Sequence, residues 1–369
     1  MLGAAMTPRE RNFFFVAEDL AHGGRAATLR EVAAQLPSYF GYAEPAPQRL
    51  VAELKRRRYL RTGRGGRLRP TRRGVRALEP AVEQYFSAGG LVKSAKSAAF
   101  RSLCLERQGL DVCQHGSLTA HQLSVLIQTA GRAPCSHLID LGCGVGEVGF
   151  RVAEQLGTTL TGVDTSSSAI SYARRHARRA GRACGPEAGE ERGDPASYGD
   201  PAVQSEERRA AFIAARMEEA AFAGRSADLV VAVDSLYWVE DLEALLRRCL
   251  SWIRPGGALC ILQSDFAGER GGATTLQWEE TVVGDALSEV IKTGGEVNQR
   301  ELEVSVVDFT EEERRLWHMT PAVCAPYTDA FSREGRLFLL RNIVREAEFL
   351  SRSVSHAPGA RYLYMVRPM

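Results

Sequence analysis

The stretch that most constrains the fold is a short apolar run that ends in a cluster of glycines. His137 to Leu141 has the composition of a buried strand. Gly142, Gly144 and Gly146 follow it, and a helical pattern begins at Glu147. Because glycine has no side chain, the backbone can turn sharply there and approach a ligand closely. A helix that begins after such a turn directs free N–H groups at that ligand. The stretch therefore predicts a ligand-binding strand, turn and helix.

Two acidic residues help to distinguish between the cofactors that such a turn can hold. The motif from Gly144 to Gly149 fits a dinucleotide-binding fingerprint, so the glycines alone leave a nicotinamide cofactor open. Asp140, however, lies inside the strand, two residues before the first glycine. A second predicted strand, Thr159 to Val163, is followed by Asp164, whose carboxylate could accept both hydroxyls of a ribose. These acids favour a cofactor other than a nicotinamide.

Acid-x-Gly-x-Gly-x-Gly, followed by a strand that ends in Asp, resembles the first two motifs of class I S-adenosylmethionine-dependent methyltransferases. Residues 212–222, 227–236 and 252–262 match the third motif and the fourth and fifth strands, in family order. The resemblance covers roughly residues 116–369 and implies S-adenosyl-L-methionine as the cofactor. It also implies an α/β fold with a Rossmann-like seven-stranded sheet, whose last strand, Gly359 to Val366, is antiparallel. A nicotinamide enzyme, whose corresponding strand is parallel, is the alternative.

The resemblance implies a cofactor site along the carboxyl edge of the sheet. Many members of the family have an Asp at the position of Arg216, where it reaches the adenine amino group. Arginine cannot accept that hydrogen bond, so we expect Met217 to pack on the adenine ring instead. The predicted cofactor-binding residues are Asp140, Gly142, Cys143, Gly144, Gly146, Asp164, Thr165, Met217, Asp234 and Ser235.

Catalytic and substrate-binding candidates are fewer, because no obvious base stands in the core motifs. The segment from Asp234 to Trp238 lacks the paired prolines typical of enzymes that methylate the amino groups of nucleobases. Tyr237 and Trp238 offer aromatic faces to a sulfonium or an ammonium group, or one of them belongs to the ordinary core. His318 is a candidate base because of its near-neutral pKa, with a surface or core histidine as the alternative. The predicted catalytic residues are Tyr237 and His318, and the predicted substrate-binding residues are Gln114, Trp238 and Tyr327.

The N-terminal part predicts a small separate domain. Helical patterns cover 7–21, 28–36 and 46–58, Pro37 is expected to end the second helix, and a glycine-tipped hairpin precedes a helix over 72–78. Three helices and a hairpin resemble a winged helix–turn–helix. We therefore predict a winged-helix domain over 1–86, a connector and cap over 87–130, and a methyltransferase core over 131–369. The core contains a flexible insertion, 181–207, and a helical insertion that walls the substrate pocket, 310–356.

The charge of the N-terminal domain is uneven. From Glu53 to Arg76 there are eleven Lys or Arg residues and one acid, about +10, although the whole chain carries only +2. A basic helix and hairpin suit nucleic-acid phosphates. In the resembling enzymes such domains also form homodimers or bind peptides, so a homodimer, a peptide or protein partner and nucleic acid all stay open.

Composition excludes several classes of protein. With 44% hydrophobic and 25% charged residues the chain is of the soluble globular type, and no apolar run is long enough for a membrane helix. We expect no secretory signal, no metal site, and a cytoplasmic location with the eight scattered cysteines reduced.

The sequence therefore predicts a methyltransferase that acts, mainly by positioning, on an oxygen or nitrogen of a small molecule or natural-product peptide. A nucleic-acid methyltransferase and a DNA-binding regulator are the alternatives.

Overall fold

The computed structural model describes residues 6–22, 26–78, 90–131, 135–181, 183–184, 209–266, 276–293, 301–353 and 359–368. The chain divides into two compact units. The first consists of residues 1–88, 97–103 and 319–348, and the second of residues 89–96, 104–318 and 349–369. Among the described helices, none has the length and apolar character that a membrane span requires.

The described N-terminal residues form helices and a short antiparallel hairpin, in the predicted order. The elements are α1 (Pro8–His22), α2 (Leu29–Phe40), α3 (Pro47–Arg56), β1 (Leu60–Thr62), β2 (Leu68–Pro70) and α4 (Arg72–Leu78). β1 and β2 pair with Leu60 opposite Pro70. A single antiparallel bridge joins Thr28, just before α2, to Arg67 at the hairpin. Through this bridge, one residue of a third segment pairs with the hairpin.

Helix α2 begins as its capping pattern predicts but ends later than predicted. Thr28 Oγ1 accepts from the N–H of Glu31 at 3.3 Å, and the N–H of Thr28 donates to Glu31 Oε2 at 2.7 Å. The prediction that Pro37 ends this helix is wrong, because α2 continues to Phe40. Gly41, with φ 75°, closes it by donating to the Pro37 carbonyl at 2.9 Å. Buried Tyr39 provides the packing that offsets the hydrogen bond missing at the proline.

The second unit is built on a mixed sheet. Its strands are β3 (His137–Leu141), β4 (Thr159–Asp164), β5 (Ala183–Cys184), β6 (Arg209–Ala214), β7 (Ala227–Val233), β8 (Ile253–Phe266), β9 (Leu302–Asp308) and β10 (Gly359–Pro368). They lie in the order β5-β6-β4-β3-β7-β8-β10-β9. β10 is antiparallel to β8 and β9, which confirms the predicted antiparallel last strand. The two-residue β5 adds an edge strand to the seven predicted. Most of the predicted insertion 181–207 lies outside the described residues.

The remaining described helices lie between residues 91 and 353. They are α5 (Leu91–Ala95), α6 (Ala98–Gln108), α7 (Ala120–Ala130), α8 (Glu147–Leu156), α9 (Ser167–Arg179), α10 (Leu242–Trp252), α11 (Val282–Lys292), α12 (Thr310–Cys324), α13 (Thr328–Arg333) and α14 (Leu337–Ser353). In the predicted connector and cap, α5 and α6 are separate helices, because Ser97 Oγ accepts from the N–H of Phe100 at 3.0 Å and starts a new helix.

Two apolar clusters, one on each face of the sheet, hold the second unit together. Leu138 packs in the cluster that contains residues of α7, α8 and α9, whereas its neighbour Ile139 packs in the cluster that contains residues of α10 and α11. Successive strand residues point to opposite faces, so both faces of β3 are buried. The apolar run that the sequence shows is the consequence of this double burial.

The 310–356 segment is divided between the two units. Residues up to His318 belong to the second unit, and residues 319–348 belong to the first. The ring of Phe338 lies 4.6 Å from that of Phe15 and 5.0 Å from that of Phe40. Arg345 donates to Asp19 Oδ1 at 2.7 Å. The N-terminal helices therefore share a core with a segment some 300 residues away, and the boundary at residue 86 does not enclose the first unit.

We predict that Phe338→Ala lowers the free energy of unfolding of the first unit by about 3 kcal/mol, because it removes a buried ring from an aromatic cluster. Phe349→Ala, on the same helix, is the matched control, since that side chain is 65% exposed. Urea unfolding followed by circular dichroism measures both. Equal losses for the two variants would contradict the shared core.

Candidate functional site

The glycine turn after β3 has the backbone that its glycines suggest. Gly142, Gly144 and Gly146 have φ values of 74°, 54° and 82°. These lie in the left-handed region that side chains disfavour. At Gly142 a Cβ would lie 2.3 Å from Ser235 Cβ and 3.6 Å from Met217 Cε. Three predicted cofactor-binding residues from separate segments therefore converge at this turn.

The N–H groups of the turn donate to acceptors within the protein. The N–H groups of Gly142 and Cys143 donate to the Val163 carbonyl at 2.8 and 3.0 Å, and that of Gly146 donates to the Cys143 carbonyl at 2.8 Å. The Gly144 N–H donates to Asp164 Oδ2 at 2.9 Å. These four N–H groups donate within the protein and are not free to bind a ligand. The turn instead offers a backbone surface without side chains.

Asp164 joins the end of β4 to this turn. In addition to Gly144, its carboxylate accepts from the N–H of Ser166 at 2.8 Å through Oδ1. Burial raises the pKa of Asp164, and the two N–H donors oppose that shift. Each oxygen has one described donor and can accept a further one. Thr165, the next residue, is exposed, and Ser166 rather than Thr165 caps α9.

Asp140 and Cys143 are buried beside the turn. Burial, together with the charge of Asp164, raises the pKa of Asp140 to about 7, against the effect of the Gly149 N–H. Asp140 Oδ2 has no hydrogen-bond partner among the described residues. Burial and the same two acids raise the pKa of Cys143, so its thiol stays protonated. The site thus contains two desolvated carboxyl groups and no thiolate.

Arg216, which departs from the family pattern, lies on the surface. Its Nη2 is 2.9 Å from Glu218 Oε1 and 3.2 Å from Glu240 Oε1. The neighbouring Met217 is half-buried and packs against the core cluster of α10 and α11. The arginine therefore serves local ion pairs, while Met217 is the residue that faces Gly142.

The end of β7 carries a buried ion pair that sequence reasoning missed. Arg361, on β10, is 0% exposed, and its Nη1 and Nη2 donate to Asp234 Oδ1 and Oδ2 at 2.7 and 3.1 Å. Burial alone would lower the pKa of Arg361, but the charges of Asp234 and Glu313 raise it. Asp234 Oδ2 also accepts from the N–H of Ser117 at 3.0 Å. Both oxygens of Asp234, predicted to face the cofactor, thus have protein donors.

Further polar groups complete the surroundings of Arg361. Its Nη1 donates to Ser264 Oγ at 2.7 Å, and its Nε donates to Gln122 Oε1 at 3.1 Å. Glu313 Oε1 lies 3.6 Å from Nη1 and accepts from Ser264 Oγ. The carboxylate of Glu313, in the first turn of α12, thus serves this network. An arginine inside the apolar run of β10 is the sequence signal that could have indicated a buried counter-charge, although not which residue supplies it.

Tyr237 and Trp238 lie in a short turn after β7. Trp238 is 59% exposed, and the ring of Tyr237 is about half exposed. The Tyr237 hydroxyl, in contrast, is enclosed: it accepts from the N–H of Ser264 at 3.2 Å and donates to Asp234 Oδ1 at 3.4 Å. Burial and the charge of Asp234 raise the pKa of Tyr237 well above its usual range. Tyr237 is therefore a protonated phenol at neutral pH, not a base.

The contacts described for the other predicted residues do not involve this cluster. Gln114 Nε2 donates to the Leu118 carbonyl at 2.9 Å, which is a contact within the local turn. His318 is exposed on α12. Tyr327 belongs to the first unit, where its ring packs edge-on against Phe331. Their predicted roles stay predictions. Within the described ranges no group of His, Cys, Asp and Glu could hold a metal ion.

We predict that Arg361→Met lowers the free energy of unfolding by about 3–5 kcal/mol, because it leaves buried carboxylates without a counter-charge. Arg367→Met on the same strand is the control, since the described partner of Arg367 is a neutral carbonyl, that of Thr129, at 2.8 Å. We expect it to cost about 1 kcal/mol. Urea unfolding distinguishes the two, and a small loss for Arg361→Met would contradict the buried pair.

Part of the chain that contains this site is similar in sequence to known methyltransferases. Residues 139–261 match a family model described as a methyltransferase domain. The chain is 33% identical over 135 residues to a trans-aconitate 2-methyltransferase from Delftia acidovorans, covering 36% of this chain and 40% of that protein. It is 29% identical over 125 residues to the O-methyltransferase resE from Aspergillus sclerotiorum, covering 34% and 38%. The chain thus spans about two fifths of the length of these curated relatives.

Two solved structures share the fold at low sequence identity. One is a phosphoethanolamine N-methyltransferase 2 from Haemonchus contortus in complex with S-adenosylhomocysteine, at TM-score 0.53 and 14% identity, covering 76% of this chain and 59% of that one. The other is the [4+2]-cyclase SpnF, at TM-score 0.51 and 15% identity, covering 78% and 94%. The comparisons thus show a methyltransferase-like segment over residues 139–261 and a fold shared with these two solved structures.

Proposed function

We propose that this protein transfers a methyl group from S-adenosylmethionine to an oxygen or nitrogen of a small molecule or natural-product peptide. The observation that supports this most directly is the convergence of the glycine turn, Asp164 and Met217 at one edge of the sheet. In open α/β sheets, ligands lie at the carboxyl ends of the strands. The matched methyltransferase family model covers this turn and Met217.

Asp164 is the residue that we assign to the ribose. Its two oxygens each hold one N–H donor, so two further acceptor positions are available for two hydroxyl groups. Met217 suits the adenine ring, because a thioether packs favourably on an aromatic face. Arg216 forms ion pairs with Glu218 and Glu240, and it is not needed for binding of the adenine.

A small acceptor is supported by two independent observations. The turn after β7 lacks the paired prolines typical of nucleobase amino methylation, and its Tyr237 and Trp238 rings are exposed. The relatives with the similar segment are named for trans-aconitate methylation and O-methylation. Exposed rings at this edge can contact the acceptor or an adjacent cation.

Positioning is expected to dominate the reaction. Methyl transfer from a sulfonium is an in-line displacement, so the protein must align nucleophile, methyl carbon and sulfur. Tyr237 stays protonated, so we assign it a hydrogen-bonding role rather than that of a base. A neutral amine or a carboxylate would need no base, and this chemistry fits the acceptors that we propose.

The first unit supports a winged-helix-like assignment. Its order is helix, one-residue bridge, two helices and an antiparallel hairpin, with Thr28 bridging to Arg67 beside the hairpin. Residues 319–348 also belong to this unit, although the winged-helix domain that the sequence predicts ends at residue 86. We propose that this unit binds a partner.

We predict that Asp164→Ala weakens S-adenosylhomocysteine binding by about 1.5–3 kcal/mol for each ribose hydroxyl that the carboxylate no longer accepts, since hydrogen bonds to a charged acceptor are strong. Isothermal titration calorimetry measures this change. Asp241→Ala is the matched control, because the described partner of the Asp241 carboxylate is the Ala244 N–H at the start of α10, at 3.0 Å. Unchanged affinity in Asp164→Ala would contradict the ribose assignment.

The activity is tested with methyl-labelled S-adenosylmethionine, host-cell extract and the purified protein. We expect label in the small-molecule or peptide fraction, and mass spectrometry of that fraction identifies the acceptor. Nuclease-sensitive label would replace the proposed acceptor with nucleic acid. Cofactor binding without transfer to any fraction, repeated with extracts from several growth conditions, would contradict the proposed methyl transfer.

A further inference from the structure

One face of the first unit is covered with positive charge. It comprises the end of α3, the β1–β2 hairpin and the start of α4, and we call it the basic face. Its exposed cations are Lys55, Arg56, Arg58, Arg61, Arg64, Arg69, Arg72 and Arg73. Glu53 is the one acid between residues 53 and 76. The charge is therefore concentrated on a surface rather than distributed along the chain.

Most of this charge has no acidic partner among the described residues. The carboxylate of Glu53 accepts from Arg56 Nε at 2.8 Å and from Arg57 Nε at 2.7 Å, so it is already occupied. Arg73 lies over the ring of Tyr59 at 6.0 Å. Within the part of the chain that the structure describes, the remaining cations of the basic face have no acidic partner: Lys55, Arg58, Arg61, Arg64, Arg69 and Arg72.

Two of these positive charges lie opposite each other on the two strands of the hairpin. Arg61 and Arg69 are directly opposite in the antiparallel register of β1 and β2. Like charges at such positions destabilise a hairpin. A polyanion bound across the hairpin would relieve this repulsion, so the arrangement suits a partner with closely spaced negative charges.

The basic face has a shape that can enter a groove of a nucleic-acid duplex. The exposed side of α3 carries polar or small residues, Gln48, Arg49, Ala52 and Lys55, while Leu54 is buried behind them. Arg64 lies at the hairpin tip, where Gly65 has φ 66° and no Cβ to obstruct an approach. The major groove of B-DNA is about 12 Å wide and admits one helix.

We propose that the basic face binds double-stranded DNA, with α3 in a groove and the hairpin arginines on the phosphates. An acidic protein is a less suitable partner for this face, because interfaces between proteins have an apolar or aromatic centre. Within the described residues up to 78, the exposed large hydrophobic side chain is Val75, at 38%. DNA binding by this face needs neither the cofactor nor the acceptor, so it is independent of the proposed methyl transfer.

The test measures binding of the full chain to a short fluorescent DNA duplex by anisotropy, over a range of salt concentrations and without cofactor. Because each phosphate contact contributes about −0.9 to the slope of log affinity against log salt, contacts by the six unpaired cations predict a slope of about −5. A duplex of A-form RNA is the comparison ligand, since its deep, narrow major groove does not admit a helix.

The variant Arg58→Gln/Arg61→Gln/Arg69→Gln removes three unpaired charges. At about 0.1 M salt we expect it to bind DNA on the order of 100-fold more weakly, with a slope smaller by about 3. Its thermal stability should be unchanged or higher, because the Arg61–Arg69 repulsion is gone. The matched control, Arg151→Gln/Arg175→Gln/Arg179→Gln, removes three exposed arginines from the second unit and should bind as the parent does.

Three results would overturn the proposal. The first is no DNA binding at the lowest salt. The second is an equal loss of affinity in the control variant, which would indicate attraction by the overall charge. The third is displacement of the duplex by poly-glutamate at an equal concentration of charge, which would identify an acidic protein as the partner. Equal binding of the RNA duplex would overturn the placement of α3 in the groove.

Discussion

The buried guanidinium of Arg361 is the constraint on which the carboxyl edge of the sheet depends. A charge without water must have counter-charges and hydrogen-bond acceptors around it. Asp234 and Glu313 supply the charges, from the end of β7 and from α12, and Gln122 contributes from α7. Segments far apart in sequence are thereby held at one point. The backbone of Asp234, at φ 49°, then leads into the turn that exposes Trp238.

A second electrostatic feature lies at the glycine turn, where acids rather than bases are buried. Asp140 and Asp164 both have raised pKa values because they are desolvated, and the charge of Asp164 adds to the shift of Asp140. A cationic ligand in the same site would favour their ionised forms. The cofactor that we propose carries a sulfonium charge, so its binding should favour the ionised form of Asp140, whose pKa is raised to about 7, with release of a proton.

The sequence indicated the features that depend on neighbouring residues and missed those that depend on contacts with distant residues. Double burial makes β3 a continuous apolar run, and glycines mark its turn, so both were predictable. Pro37 was expected to end a helix, but tertiary packing of Tyr39 overrides that local tendency. Neither the partner of Arg361 nor the packing of Phe338 on Phe15 could be deduced, because each depends on contacts hundreds of residues apart or on the order of strands.

The discontinuous first unit has a consequence for how the protein is made. A ribosome releases the N-terminal helices first, yet Asp19 must wait for Arg345, which lies 326 positions later. Contacts of such separation form late, because a long loop must close before they can stabilise the chain. Until then, the apolar surface around Phe15 is left without Phe338. The nascent chain therefore exposes this apolar surface until residue 338 has been made, and truncation before that residue would leave the surface uncovered.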